Sequence, residues 1–417
     1  MTDAVLGIDV GTSGVRIAAR GRDGALLAMS QAAMAAPLAG KQDAMVWWAA
    51  LEEAFAKLDL KGIKVMALAV DGTSGTILPL DASGARVGMA SMYNDQADVE
   101  IVKRVAGVAP AGTAALGGTS PLARAMMMPK AATRIIHQAD WLAGMLSGDF
   151  SASDENNGLK SGYDPVLREW PAWISTTGFD VTRFPNVVAA GTRTGTITAS
   201  AADHFRLPRD VAVVAGTTDG CAAFLASGAS EPGDGVTSLG TTLTLKLLST
   251  TPVFAPRYGI YSHRIGDQWL AGGASNTGGA VLAQMFSPEQ INQYTEHIDP
   301  AVATGLDYYP LPGTGERFPV NDAGMEPRLS PRPPDDRVFF QAILEGIAAV
   351  ETLGYARLAE LGASPLATIR SVGGGASNGK WTALRLKALG VPSTLAASDH
   401  AAMGVARLAW RGIGHAD

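Results

Sequence analysis

One cysteine, Cys221, in 417 residues excludes an internal disulfide. A lone thiol suits a reducing compartment, and the cytoplasm is the expected location. The opening MTDAVLGIDVG has no basic start and no long apolar run before its first glycines, which predicts no signal peptide. No stretch approaches the ~18 uninterrupted apolar residues of a membrane span. The six histidines and the cysteine show no metal-ligand spacing. There is no basic block either: Lys plus Arg is 33, Asp plus Glu is 39, and the formal net charge is −6. That balance argues against nucleic acid as a partner. A phosphate ligand must then be held by backbone amides and a metal ion. The P-loop pattern, GxxxxGK followed by Ser or Thr, is missing.

What is present is ample core material, 47% hydrophobic residues, in a chain long enough for two domains. Residues 4–8 form an apolar run suited to a buried strand. A Gly/Thr/Ser turn follows at 9–14, then strands at 15–19 and 25–30 around the tight turn 22–24. Helical patterning covers about 47–58, and 64–70 reads as another buried strand. A second strand–turn–strand starts near Gly235, with strands 236–239 and 243–248. GIDVGTSGVRIAA from Gly7 and VTSLGTTLTLKLL from Val236 share this order at half-chain distance, which suggests two similar domains. Residues 310–336 are proline-rich and loop-like. Asp335 or Asp336 can cap a helix at about 338–361. A strand at 369–372, a triple-glycine turn, a helix at 378–389 and a small-residue helix at 400–411 close the chain.

Several motifs carry chemistry. Asp9-Val10-Gly11-Thr12-Ser13-Gly14 ends a buried strand. Glycines let backbone approach an anion, successive turn amides form an anion-binding concavity, and the carboxylate can hold hydrated Mg²⁺. The plain alternative is a supported hairpin turn. Gly216-Thr217-Thr218-Asp219-Gly220-Cys221 places an acid where a strand gives way to a helix: a general base or a helix cap. Cys221 reads as a small buried hydrophobe. Ser238-Leu239-Gly240-Thr241-Thr242 is the second hairpin. Gly373-Gly374-Gly375-Ala376-Ser377-Asn378 permits a flat ligand against bare backbone, with Trp381 and Leu384 expected in the core. Asp71-Gly72-Thr73-Ser74, Met92-Tyr93-Asn94-Asp95-Gln96 and Asp154, Asn156 and Asn157 ahead of Gly158 to Asp164 offer polar groups that suit a polyhydroxylated ligand. Each of these three is also compatible with a solvated loop.

Taken in order, DVGTSG, DGTSGT, YND, GTTDG, SLGTT, GASNTGG, GERFP, LEGI and GGGASN resemble the FGGY carbohydrate kinases, over nearly the whole chain from Leu6 to Trp410. DGTSGT and LKSGYD look like the compact pentulose kinase branch, the D-ribulose and xylulose kinases. The resemblance implies an α/β, two-domain actin-like (ribonuclease H-like) ATPase fold with a cleft between the domains. Residues 1–226, joined by the C-terminal helix 399–417, would form the sugar-binding domain, and 227–398 the nucleotide-binding domain. ATP and Mg²⁺ are the implied cofactors, with Asp9 organising the metal through water in the family pattern. Gly11, Thr12, Ser13, Gly240, Thr241 and Thr242 would line the phosphates; Gly374, Gly375, Ala376 and Asn378 would border the adenosine. Asp9, Thr73, Ser74, Tyr93, Asn94, Asp95 and Asp219 would contact the sugar, with Asp219 as catalytic base.

Departures narrow the substrate. Tyr93 stands where many xylulokinases carry tryptophan, Gln96 stands where an arginine often follows the Asp, and the Arg-Glu pair of glycerol kinases has no counterpart near Asp71. The expected reaction is ATP-dependent phosphorylation of the terminal hydroxyl of a small ketose, D-ribulose first and D-xylulose second, by a monomer or homodimer with no nucleic-acid or membrane partner. Two rivals are a sugar-sensing ATPase without phosphotransfer and an actin- or chaperone-like ATPase that binds proteins.

Overall fold

A computed structural model describes residues 1–35 and 42–415. The chain forms two units. The first comprises Met1–Ala226, His263–Gly266 and His400–Asp417, and the second Ser227–Ser262 and Asp267–Asp399.

The first unit is built on a six-stranded sheet in the order Leu26–Ala33, Gly14–Gly21, Thr2–Val10, Ile63–Gly72, Ala212–Thr218, Arg193–Thr196. The opening three strands pair antiparallel, whereas Ile63–Gly72 runs parallel to both Thr2–Val10 and Ala212–Thr218. Side chains alternate between the two faces of a strand, and this alternation sorts the core. Leu6, Ile8, Val10, Leu68 and Val70 join Trp47, Leu51 and Trp141 from the helices Met45–Lys57 and Gln138–Ser147. Val5, Ala67, Ala69 and Val214 join Ala222, Leu225, Val405 and Ala409 from the helices Asp219–Ala226 and Ala401–Arg411.

The second face is made of small residues because backbones meet there. A Cβ on Gly7 would lie 1.8 Å from the Ala402 carbonyl oxygen, and one on Gly404 would lie 1.8 Å from that of Ala222. Asp9 and Asp71 continue the rows Val5–Gly7 and Ala67–Ala69 at the strand ends, so both carboxylates belong to this face. The helix on the same face begins at Asp219. That is how three acids far apart in sequence come to one place.

In the second unit Gln268–Ala274, Leu243–Ser249, Asp234–Leu239 and Thr368–Val372 lie side by side, the last two in parallel. The helix Asp336–Glu360 packs Phe340, Ile343, Ile347 and Leu358 against Leu245, Leu247 and Phe318. Its first-turn amide of Arg337 donates to Asp335, so the helix starts two residues before its expected beginning. By length and composition it is the one described helix able to cross a membrane, and 67% of its most apolar window is buried inside the protein.

Candidate active site

The site begins with strand register. Asp9 is paired with Arg16 on one neighbouring strand and with Asp71 on the other, and Asp71 is paired with Thr217 on the next. Register partners project to the same face, so Arg16, Asp9, Asp71 and Thr217 form one row across four strands. Arg16 Nη1 lies 3.4 Å from Asp9 Oδ2. Asp71 is fully buried, and as a carboxylate it has no aligned donor at either oxygen. Burial, reinforced by the charges of Asp9 and Asp219, raises its carboxyl well above the usual range. As the protonated acid, Asp71 donates a hydrogen bond to the Asp9 carboxylate. Asp9 is itself raised, because burial outweighs the hydrogen bond from Asp71 and the charge of Arg16.

The strand expected to end at residue 215 continues through Thr218, and the helix follows at once. Gly216 is required where the strands cross closely, since a Cβ would fall 1.8 Å from the Val70 carbonyl oxygen. The cap of the helix is Thr218, whose Oγ1 accepts from the Cys221 amide at 3.4 Å. Asp219 Oδ1 accepts the adjacent Gly220 amide at 2.6 Å. The carboxylate is half-buried beside the acidic row. Cys221 is buried, as a small hydrophobe would be.

The expected sugar residues divide into two groups. Thr73 is buried and committed to the fold: its amide and hydroxyl both donate to Gln138 Oε1, at 2.9 and 2.8 Å. Ser74 Oγ and Gln138 Nε2 are buried without a partner, so this corner has a donor and a hydroxyl to offer a polar ligand. Tyr93 and Asn94 are exposed, and the Tyr93 amide donates to Thr76 Oγ1 at 3.2 Å. Asp95 Oδ2 accepts from the Met92 amide at 2.9 Å and from Ser91 Oγ at 3.1 Å, which shapes its own loop. Asp154, Asn156 and Asn157 face inward. Asp154 accepts the amides of Asn156 and Asn157, and Asn156 Nδ2 donates to Thr217 Oγ1 at 2.9 Å. Burial pushes the Asp154 carboxyl up to about 7, with Asp140 adding to it.

Two residues escaped the sequence reading. Arg124 is buried and donates to Ser91 O and Oγ at 3.0 and 2.7 Å, to Thr119 O, and to Gly75 O. It ties the Ser74–Gly75 turn to the Tyr93 loop, and burial lowers its guanidinium to about 10. An arginine in the apolar run PLARA is the signal that could have marked it. His137 contacts Asp140 Oδ2 at 2.8 Å through Nδ1 and Ser161 Oγ at 3.0 Å through Nε2. This Ser–His–Asp array is sealed, with Ser161 and His137 both at 0% exposure, so it serves the fold rather than attacking a substrate.

The expected phosphate turns lie in different units. Gly11 to Ser13 join the first two strands, and Gly240 to Thr242 join Asp234–Leu239 to Leu243–Ser249. A Cβ on Gly11 would come no nearer than 3.8 Å to any atom, and one on Gly240 no nearer than 3.7 Å. The fold itself therefore tolerates a side chain at both places, and the room it leaves fits an approaching phosphate. The hairpin 240–242 is backed by the end of the GASNTGG motif: the amides of Gly279 and Ala280 donate to the carbonyls of Gly240 and Thr241 at 2.9 and 3.0 Å.

Beside the triple glycine is a cavity of about 640 Å³, lined in part by Leu282, Asn292, Glu296, Gly374, Asn378 and Trp381. Gly374 is open, whereas a Cβ on Gly375 would fall 2.5 Å from the Trp381 ring. Asn378 accepts from the Trp381 amide and donates to Thr295 Oγ1, each at 3.0 Å. Trp381 thus belongs to the core and to the cavity floor together. Ala376 closes the turn by donating its amide to the Gly373 carbonyl at 3.0 Å. Among the described residues no group of three His, Cys, Asp or Glu side chains is placed to hold a metal ion directly. The donor set fits a cation held through water and nucleotide phosphates, with Asp9 as the protein's anchor.

The two-unit α/β architecture is that of the actin-like sugar kinases. A solved structure described as a xyloylose kinase from Brucella ovis matches it with a TM-score of 0.86 at 23% identity, covering 99% of this chain and 91% of that one. L-fuculokinase from Salmonella typhi is 25% identical over 455 aligned residues, covering 99% of this chain and 93% of that protein. Autoinducer-2 kinase from Yersinia enterocolitica is 25% identical over 66% of this chain and 56% of that protein, so the chain spans little more than half the length of this relative. Residues 235–413 match the C-terminal domain of the FGGY family of carbohydrate kinases. The chain is a carbohydrate kinase, an enzyme that transfers phosphate to a sugar, and over residues 235–413 it is similar to the C-terminal domain of the FGGY family.

Proposed function

We propose that the chain phosphorylates the terminal hydroxyl of a small ketose, with D-ribulose as the best substrate and D-xylulose second. The observation that carries the reaction is Asp219. It sits at the start of its helix beside the row of Asp9 and Asp71, and Thr218 has taken the capping role. Asp219 accepts the proton of the sugar hydroxyl as that oxygen attacks the γ-phosphate in line. The backbone of Gly11, Thr12 and Ser13 and of Gly240, Thr241 and Thr242 cradles the phosphates. Gly374, Gly375, Ala376 and Asn378 border the adenosine. Mg²⁺ would neutralise charge on the phosphates, with Asp9 as its anchor. Ser74, with its unpartnered hydroxyl, and Tyr93, Asn94 and Asp95 on the loop braced by Arg124 recognise the sugar.

The choice of D-ribulose rests on the compact-branch motifs DGTSGT and LKSGYD, on Tyr93 and Gln96, and on the missing Arg-Glu pair. A site with fixed polar partners discriminates sugars strongly, because the wrong hydroxyl pattern leaves buried groups unpaired. A second reading, L-fuculose, is favoured by the near full-length likeness to L-fuculokinase. The test is kcat/KM across D-ribulose, D-xylulose, L-fuculose and glycerol. Glycerol equal to D-ribulose would overturn the ketose assignment, and L-fuculose ahead of D-ribulose would replace it with the second reading.

A further inference from the structure

The second unit buries a complete ion pair that the mechanism above leaves unused. Glu351 and Arg385 are both at 0% exposure. Arg385 Nε and Nη2 donate to the two oxygens of Glu351 at 2.6 Å each. Such a bidentate geometry is specific to arginine. Arg385 Nη1 donates to Ser371 Oγ at 2.9 Å. Thr237 Oγ1 donates to Glu351 Oε1 at 2.6 Å and lies 2.9 Å from the Tyr355 hydroxyl. The hydroxyl proton of Thr237 is spent on the carboxylate, so Tyr355 is the donor in the second contact. No atom of this network is left without a partner.

Its position is informative. Thr237 and Ser371 are register partners on adjacent parallel strands. Thr237 lies three residues before Gly240, the start of the phosphate hairpin, and Ser371 lies two residues before the triple glycine. Arg385 is on the helix Gly379–Leu389, which Asn378 caps. The two loops also touch: a Cβ on Gly373 would sit 3.0 Å from the Leu239 carbonyl oxygen. A buried ion pair contributes little net stability, since desolvation offsets most of its attraction. A fully bonded one beneath two ligand loops is better explained by the geometry it imposes.

We infer that Glu351 and Arg385 are positioning residues for the nucleotide, clamping the 240–242 hairpin and the 373–378 turn in one fixed relation through Thr237 and Ser371. This rests on reading those loops as the nucleotide site. Misplacing binding groups by about 1 Å is enough to cost orders of magnitude.

The test uses the full chain with Mg-ADP as the calorimetric probe. Arg385→Leu alone strands a buried carboxylate and is expected to misfold. The variant of choice is therefore the double replacement Glu351→Leu with Arg385→Met, which restores an apolar filling and is expected to keep a Tm near wild type. Its affinity for Mg-ADP is expected to fall ~10- to 100-fold. The KM for ATP should rise in step, while the KM for the sugar, whose proposed residues lie in the other unit, stays unchanged. A pair serving stability alone would shift Tm and leave this split absent. Ser371→Ala and Thr237→Val each remove one tie and should weaken Mg-ADP less, in the same direction. Wild-type Mg-ADP affinity in the folded double variant overturns the inference. If the double variant does not fold, unchanged affinity in both single variants does the same. Wild type that binds no Mg-ADP overturns the nucleotide reading of the loops, and the inference with it.

Discussion

Asp219→Asn separates chemistry from folding in this enzyme. The substitution keeps size and hydrogen-bonding capacity but removes the basic carboxylate. The structure gives two reasons to expect the fold to survive. Thr218, not Asp219, caps the helix. The Asp219 charge also works against its neighbours, because it raises the carboxyls of both Asp9 and Asp71. Neutralising it relieves repulsion, so stability should change by no more than ~0.5 kcal/mol and by preference upward. Catalysis should suffer: loss of a general base lowers kcat by about 10²–10⁴, or ~3–5 kcal/mol of transition-state stabilisation. The loose transition state of phosphoryl transfer delays proton removal and favours the lower end. Coupled ADP release under steady state, with rapid-quench single turnover beside it, reads the effect. A large fall in kcat with little change in either KM marks an interaction used mainly in the transition state. Near-normal single turnover in a folded Asp219→Asn protein would refute the assignment and move the search for the base to Asp9 or Asp71.

Other outcomes follow from the same geometry. Gly11→Val and Gly240→Val should each keep the fold, since a Cβ at either place makes only ordinary contact; each should weaken ATP binding severely, and unchanged calorimetric affinity in both would reject the paired phosphate turns. Gly404→Ala drives a Cβ to 1.8 Å from the Ala222 carbonyl oxygen and 2.6 Å from the Ala226 amide. It should cost at least ~1–3 kcal/mol in urea unfolding, the usual range for overpacking, and wild-type stability would contradict the close helix packing. Asp154 concerns pH. Its folded carboxyl, at about 7, lies above the ordinary value of 3.8, so the folded state binds the extra proton between those limits and this residue's contribution to stability falls as pH rises through that window. The Tm of Asp154→Asn minus that of wild type should therefore increase from pH 4 to pH 7 and level off above it, and a flat difference would contradict the buried, raised carboxyl.

Much of the fold was legible because its signals are local. The apolar runs of the first sheet, the turn glycines and the Asp335 cap are each read from a few neighbouring residues. The strands at 4–8 and 64–70 prove longer, Thr2–Val10 and Ile63–Gly72, because pairing with neighbours extends a strand beyond its apolar run. The candidate site was partly legible for the same reason: Asp9, Asp71 and Asp219 all stand at strand ends in Gly/Thr-rich motifs. What the chain does not display locally is register. That Asp9 faces Asp71, and Asp71 faces Thr217, follows only from the parallel pairing of segments some 60 and 140 residues apart. Buried polar residues misled most. Asp154, Asn156 and Asn157 have the composition of a ligand loop yet bond one another and Thr217 inside the fold. Arg124, Glu351 and Arg385 look like surface charges in sequence and are buried, because each meets its partners only through tertiary structure.

The most direct test of the account is to incubate the purified full chain with Mg-ATP and each of D-ribulose, D-xylulose, L-fuculose and glycerol, measuring ADP release and detecting phosphosugar by mass in the same samples. The account predicts one phosphosugar formed per ADP released, fastest with D-ribulose. ADP released without phosphosugar from any of the four would contradict it and leave an ATPase that senses sugar or acts on protein.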